Sequence, residues 1–311
     1  MSNYYQKNRE EYFCWACDFS KISGEGKLAN LFIKKFDNSD RKIKVYTTDN
    51  FESKYKLINI IIKYKYISPL VGIFFCWFFF LKKKNIVYIN YLPLWNLLLF
   101  ILLPPRTIFG PITGGAKFNK NYQYFLRKYF FILFYKVSEL CLLLRKSKIN
   151  FSTDLLKNYI NRYTLSKSKF NYIFNFIKKS RKEFKNNDFL IYYKKHLNKE
   201  NLFPFQFIKK LVSLNYKILV VGDNLKIFGV KNIGFIDNKK INSLLSKTFF
   251  SISSGENPYS LFSIECINNH VKIIAEKKQK KEFKFFKDSF LFLDYEKIYG
   301  INDTLKKTNN L

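Results

Sequence analysis

The sequence predicts an α/β protein of two successive lobes, each a parallel sheet with crossover helices, the two facing a central cleft. Short runs of β-branched and aromatic residues alternate with longer stretches of helical spacing along most of the chain. The alternation stops in a Lys/Asn/Ser-rich stretch at 165–187 and then restarts, which puts a boundary near 180 and gives domains 1–180 and 181–311. The 311 residues, 48% of them hydrophobic, are enough for two buried cores.

In the first lobe, residues 12–19 (YFCWACDF) read as a strand, 23–26 as a turn and 27–36 (KLANLFIKKF) as a helix. A strand at 44–47, a helix at 57–81 and a strand at 86–90 (IVYIN) follow. Then come a helix at 94–103, a short strand at 107–110, an amphipathic helix at 122–145 and a strand at 148–152. A short strand is expected at 172–176 inside the polar stretch. In the second lobe, strands are expected at 189–193, 218–221, 230–235, 249–252 and, last, 271–275. Helices are expected at 204–214, 238–245 and from Ser260 to about Cys266. No repeat of solenoid period is present.

Lys and Arg number 55 against 23 Asp and Glu, a formal net charge of +32, which draws a protein to anionic surfaces. The same abundance of Lys, Asn, Ile, Phe and Tyr also follows from AT-rich codons, so charge alone names no partner. The five cysteines are scattered and odd in number, so no disulfide framework follows and a reducing cytoplasm fits. The polar N-terminus lacks a secretory core segment. Residues 67–81 are too short to span a bilayer, which takes about 20 apolar residues. Residues 86–105 are interrupted by Asn90, Pro93 and Asn96, and a strand followed by a short buried helix accounts for them. Peripheral contact of the Phe/Trp-rich surface beside Lys82, Lys83 and Lys84 with an anionic leaflet is expected, on the inner face of the cell membrane.

Several motifs carry chemistry. Gly24-Glu25-Gly26-Lys27 lies between a strand and a helix, where two glycines let backbone amides approach an anion; a plain tight turn needs the same residues. It is neither a Walker loop nor GxGxxG. Cys14 and Cys17 have redox spacing but lie within a strand, which favours core packing. With two histidines in the chain and no Cys/His cluster, no metal site is expected. Lys194 and Lys199 follow a second-lobe strand, where ligands of open parallel sheets sit, and could reach one diphosphate; solvated surface lysines look alike in sequence. In Ser253–Cys266 (SSGENPYSLFSIEC), a helix beginning near Ser260 would offer amides to phosphate, with Glu265 behind it for sugar hydroxyls. An N-capped helix using Asn257 or Ser260 is the structural alternative.

Taken together, these segments resemble the retaining GT-B glycosyltransferases of glycosyltransferase family 4, also called group 1. The likeness covers about 187–276, where residues 231–266 are similar to the family's strand, helix, strand and Glu-x7-Glu. It reaches the first lobe more weakly, through GEGK and FGPITGG. It implies the GT-B fold, two Rossmann-like domains, the first on the acceptor side and the second binding the nucleotide sugar. By position Glu265 matches the family's second glutamate, which holds the donor ribose, and Asn257 the first, with Glu256 one residue early. Lys194 and Lys199 match its cation pair, and Ser260 and Leu261 would face the diphosphate. Gly24 and Gly26 match the first-lobe loop that closes over the phosphates. The family's first-lobe histidine has no evident counterpart; Asn90 lies nearest. The resemblance implies sugar transfer to a glycan or lipid-linked acceptor in cell-surface polysaccharide biosynthesis, without cofactor or metal. Two other classes fit parts of the sequence: a basic nucleic-acid-binding protein, against which stands lysine spread along the chain with no recognised module, and a non-catalytic membrane-surface protein of the same fold.

Overall fold

A computed structural model describes residues 10–20, 23–37, 41–47, 57–59, 67–114, 124–145, 148–178, 180, 183–195, 202–253, 255, 257–297, 303 and 305. The chain divides into two compact units, Met1–Asn175 and Phe176–Leu311.

The first unit runs β1 (Glu10–Ala16), α1 (Gly24–Phe36), β2 (Arg41–Thr47), β3 (Leu57–Asn59), α2 (Ser68–Leu81), β4 (Asn85–Tyr88), α3 (Leu97–Leu102), β5 (Ile108–Phe109) and α4 (Tyr124–Leu144). It continues with β6 (Ile149–Asn150), α5 (Arg162–Lys167) and β7 (Ser168–Lys169). Its main sheet is parallel, in the order β3-β2-β1-β4-β5. β6 and β7 form a separate parallel pair. Ser23 caps α1 by accepting the Gly26 N–H at 2.8 Å, and the last turn carries Lys34 and Lys35, both suited to the helix dipole.

The second unit runs β8 (Asn187–Tyr193), α6 (Phe205–Ser213), β9 (Ile218–Gly222), β10 (Val230–Gly234), α7 (Asn238–Ser246), β11 (Thr248–Ile252), α8 (Leu261–Asn268), β12 (Lys272–Glu276) and β13 (Phe290–Leu293). Every pairing is parallel, in the order β10-β9-β8-β11-β12-β13. Both sheets therefore start at a central strand, grow one way and then return to grow the other, the doubly wound order of Rossmann-like domains. The central strands are covered on both faces: Cys14, Trp15 and Ala16 in β1, and Phe189, Leu190 and Ile191 in β8, are all buried.

Five expectations are corrected. The helix expected from 57 begins at Ser68, and Leu57–Asn59 is instead an edge strand on β2. The strand expected at 172–176 is a 3-10 helix, Tyr172–Phe176. The turn expected at 23–26 is the first turn of α1. β12 is not the last strand, since β13 pairs with it at the sheet edge. The short helix in 86–105, expected to be buried, buries only Leu99 and Phe100.

Cys14 and Cys17 belong to the core. The Trp15 Nε1–H donates to Cys17 Sγ at 3.3 Å, and Gly72 of α2 leaves the indole its space. Burial pushes the thiols of Cys14, Cys17, Cys76 and Cys266 up, so they stay protonated. A thiol reagent is accordingly expected to modify only the partly exposed Cys141 in the native protein and all five cysteines after denaturation. Fast native-state labelling of Cys14 or Cys17 would contradict the packing described.

Candidate functional site

Ligands of doubly wound sheets sit beyond the carboxyl ends of the strands, where the strand order reverses. Each unit has one such point: β1/β4 in the first, β8/β11 in the second.

In the second unit the chain leaves β8 at Tyr193 and continues into Lys194, whose side chain is exposed. The next loop holds it in place. Gly222 ends β9 with φ +105°, letting the Asp223 N–H donate to Tyr193 O at 2.9 Å. The Asp223 Oδ2 accepts the Lys195 N–H at 2.7 Å. Beyond β11, the Gly255 N–H donates to Leu202 O and the Asn257 Oδ1 accepts the Tyr259 N–H at 3.1 Å. Tyr259 is buried, and its hydroxyl donates to Phe285 O and accepts the Phe285 N–H. This anchors the turn that enters α8.

Ser260 caps α8 by accepting the Ser263 N–H at 3.0 Å. Helix geometry leaves the amides of Leu261 and Phe262 without an intrahelical acceptor, at the end that favours negative charge. Glu265 follows on the same face, partly exposed. Phe262 packs its ring against Tyr192, centroids 5.6 Å apart. Burial first, then the carboxylates of Asp223 and Glu265, push the Tyr192 hydroxyl up, so it stays protonated and able to donate. Tyr192, Asp223, Phe262 and Glu265 thus converge where β8 meets α8.

Of the residues expected from the sequence, Lys194, Asn257, Ser260, Leu261 and Glu265 lie along this one sheet edge. Lys199 and Glu256 lie outside the described residues. Asn257 uses its side-chain oxygen as the acceptor within its own turn. Sequence reasoning missed Tyr192, Asp223 and Phe262; a Gly-Asp pair ending a strand was the available signal for Asp223.

In the first unit the β1/β4 point holds Asp18, Glu25, Asn90 and Tyr91. Asp18 is buried, its Oδ1 accepting the Ser20 N–H at 3.0 Å and its Oδ2 the Ser23 hydroxyl at 2.5 Å and the Tyr91 hydroxyl at 3.3 Å. Asn90 is consumed by backbone: its Oδ1 accepts the Asp18 N–H and its Nδ2 donates to Asp18 O. Tyr91 takes φ +54°, an unusual conformation for a bulky residue, and its N–H donates to Glu25 Oε2 at 3.3 Å. Burial, then Asp18 and Glu25, push its hydroxyl up. Gly24 and Gly26 stand in the first turn of α1, where a Cβ on Gly26 would meet Ser20 O at 2.1 Å. The chain's own carboxylates, Asp18 and Glu25, thus supply negative charge at this helix end.

No protein-family model and no curated protein match the sequence. Solved structures do. WaaG, a glycosyltransferase involved in lipopolysaccharide biosynthesis, aligns at TM-score 0.58 and 12% identity over 97% of this chain and 90% of its own. An alpha-glucosyltransferase in complex with UDP and a 13-mer DNA aligns at 0.56 and 10% identity, over 96% and 90%. The UDP-GlcNAc 2-epimerase of Neisseria meningitidis, bound to UDP-GlcNAc, aligns at 0.50 and 10% identity, over 97% and 91%. The chain has the GT-B fold, α/β with two Rossmann-like domains of parallel strands.

Proposed function

We propose that this protein is a glycosyltransferase that moves a sugar from a nucleotide-sugar donor to a glycan or lipid-linked acceptor. The single observation that carries the reading is the β8/β11 edge: the capped N-terminus of α8 with Glu265 on the same face, beside Lys194. One part is suited to a diphosphate and the other to sugar or ribose hydroxyls. The donor belongs to the second unit and the acceptor to the first. Membership of glycosyltransferase family 4, with retention of configuration and a role in cell-surface polysaccharide synthesis, is part of the same proposal and rests on the resemblance of residues 187–276.

The chemistry is charge stabilisation. As the bond between the sugar and the diphosphate breaks, negative charge grows on the leaving diphosphate, and Lys194 and the α8 amides stabilise it. In this reading Lys199 adds a second cation. No metal or cofactor is assigned a part.

The test is a thermal-shift panel of nucleotide sugars, since a donor that binds only the folded state raises the melting temperature, followed by turnover with and without acceptor. Acceptor-dependent release of nucleoside diphosphate is the expected result. Release of a C2-epimerised sugar without acceptor would instead make the chain an epimerase. Lys194→Ala is expected to weaken nucleoside diphosphate binding about tenfold, the loss of one charge-assisted contact. Lys247→Ala, at the opposite end of the same sheet, should change little. Equal small losses, measured by calorimetry, would make Lys194 ordinary solvated charge.

A further inference from the structure

The first unit carries an apolar surface that its own core does not use. Helix α2 has no charged, amide or hydroxyl side chain after Ser68, yet it buries only Ser68, Gly72 and Cys76, one line at four-residue spacing. The opposite line, Leu70, Phe74, Phe78 and Leu81, is exposed, with Phe74 at 70% and Leu81 at 75%. A helix that is hydrophobic all round belongs either inside a core or in contact with lipid, and the Leu70, Phe74, Phe78 and Leu81 line of this one is in neither core of the unit.

Two neighbours extend the same face. The hexapeptide of α3, LLLFIL, leaves Leu98 and Leu102 exposed, and the Trp77 Nε1–H of α2 donates to Leu102 O at 2.6 Å. Trp95, just before α3, stacks on Phe131 of α4 with centroids 5.2 Å apart. Arg145 beyond α4 fixes the far end of α3 by donating to Phe100 O, Ile101 O, Leu103 O and Pro104 O. The three helices are therefore bound together, and the indoles of Trp77 and Trp95 lie at their seams.

Charge says what covers this face. Between residues 67 and 144 every charged side chain but one is Lys or Arg. The exception, Glu139, is buried against the Asn161 N–H and Lys136. Lys82, Lys83 and Lys84 follow α2 directly and are exposed. A second copy of the chain seated here would press these cations against their like. A bilayer with anionic headgroups meets both requirements, apolar depth and negative rim. At about 21 Å, the 14 residues of α2 are too short to cross a hydrocarbon core of about 30 Å. Among the described residues no helix is long and apolar enough to do so.

We propose that α2, α3 and α4 form one monotopic membrane face, which inserts its exposed Leu and Phe side chains below the headgroups of an anionic leaflet while the lysines stay at headgroup level. Apolar insertion, with charge as the assisting force, distinguishes this from purely electrostatic adsorption. The proposal does not depend on the donor site, and its test reads no sugar transfer, so either can fail alone.

The experiment is flotation of the full chain with vesicles of phosphatidylcholine alone or with a minority of phosphatidylglycerol, at low and high salt. Binding is expected to be tighter on the anionic vesicles and to persist in part at high salt. Phosphatidylcholine brominated along the acyl chain should quench the Trp77 and Trp95 fluorescence, while the core residue Trp15 stays bright. The double substitution Phe74→Ser/Leu81→Ser, at two exposed positions, should weaken partitioning on the order of a hundredfold with the melting temperature unchanged. Complete release by salt with no quenching would overturn insertion. A concentration-dependent dimer in sedimentation that the double variant abolishes would also overturn it, by showing that the face is covered by another copy.

Discussion

Replacing Glu265 by alanine is expected to cut sugar transfer on the order of a hundredfold while the second unit stays folded. The size follows from the proposed role, a charged acceptor for two neighbouring hydroxyls of the donor, each such hydrogen bond contributing about 1.5–3 kcal/mol. Folding should survive because alanine keeps the Glu265 carbonyl, which accepts both the N–H and the side-chain amide of Asn269. Its side chain is partly exposed, so alanine leaves no buried cavity. Glu265→Gln, which keeps shape and one acceptor but not the charge, should fall between the two. The measurements are initial rates, donor affinity by calorimetry, and melting temperature. Unchanged affinity and rate in a folded variant would remove the donor from the α8 face.

The second large effect concerns stability. Gly222→Ala is expected to destabilise the second unit by about 3 kcal/mol or more, lowering its melting temperature by roughly 10 °C. Two costs combine there. The backbone sits at φ +105°, and an added Cβ would lie 2.1 Å from Tyr193 O, a backbone atom that cannot rotate away. That carbonyl accepts the Asp223 N–H, so relief of the clash also disturbs the loop holding Lys195. Gly234→Ala isolates the first cost: φ is +84°, but nothing lies within 4 Å of the added Cβ. Its loss should stay near 1–2 kcal/mol. Equal losses at the two positions, read from urea denaturation, would show that the contact with Tyr193 contributes nothing.

Much of this architecture is visible in the sequence because parallel sheets buried on both faces give runs such as FCWA and FLIYY, bounded by turn residues. The same property hides other parts. Residues 57–62 (LINIII) are apolar but for Asn59 and show no clear period, so the pattern cannot separate the edge strand Leu57–Asn59 from the start of a helix. β13 is four residues long and follows a lysine-rich stretch, so its pairing with β12 shows only in three dimensions. At the site, Ser260 and Glu265 are legible because a cap and a carboxylate lie within one short segment. Tyr192 and Asp223 become neighbours of Glu265 only through the β9-β8-β11 strand order, which no local signal carries. The exposure of α3 is illegible for a related reason: an apolar hexapeptide reads as core wherever it occurs.

The strand order also sets how this chain must fold. Among the described residues every pairing in the two large sheets is parallel, so none of these strands finds its partner by a tight local turn. Tyr12 of β1 waits for Asn85 of β4, and Phe189 of β8 for Phe250 of β11, before either central strand has both neighbours. Closing loops of that length delays the reward of pairing and makes folding slow. During synthesis β1 therefore stands half-paired while the aromatic segment of α2 is already emerging. The nascent first unit should be prone to misassociation over that interval, and its yield should depend on how quickly β4 arrives.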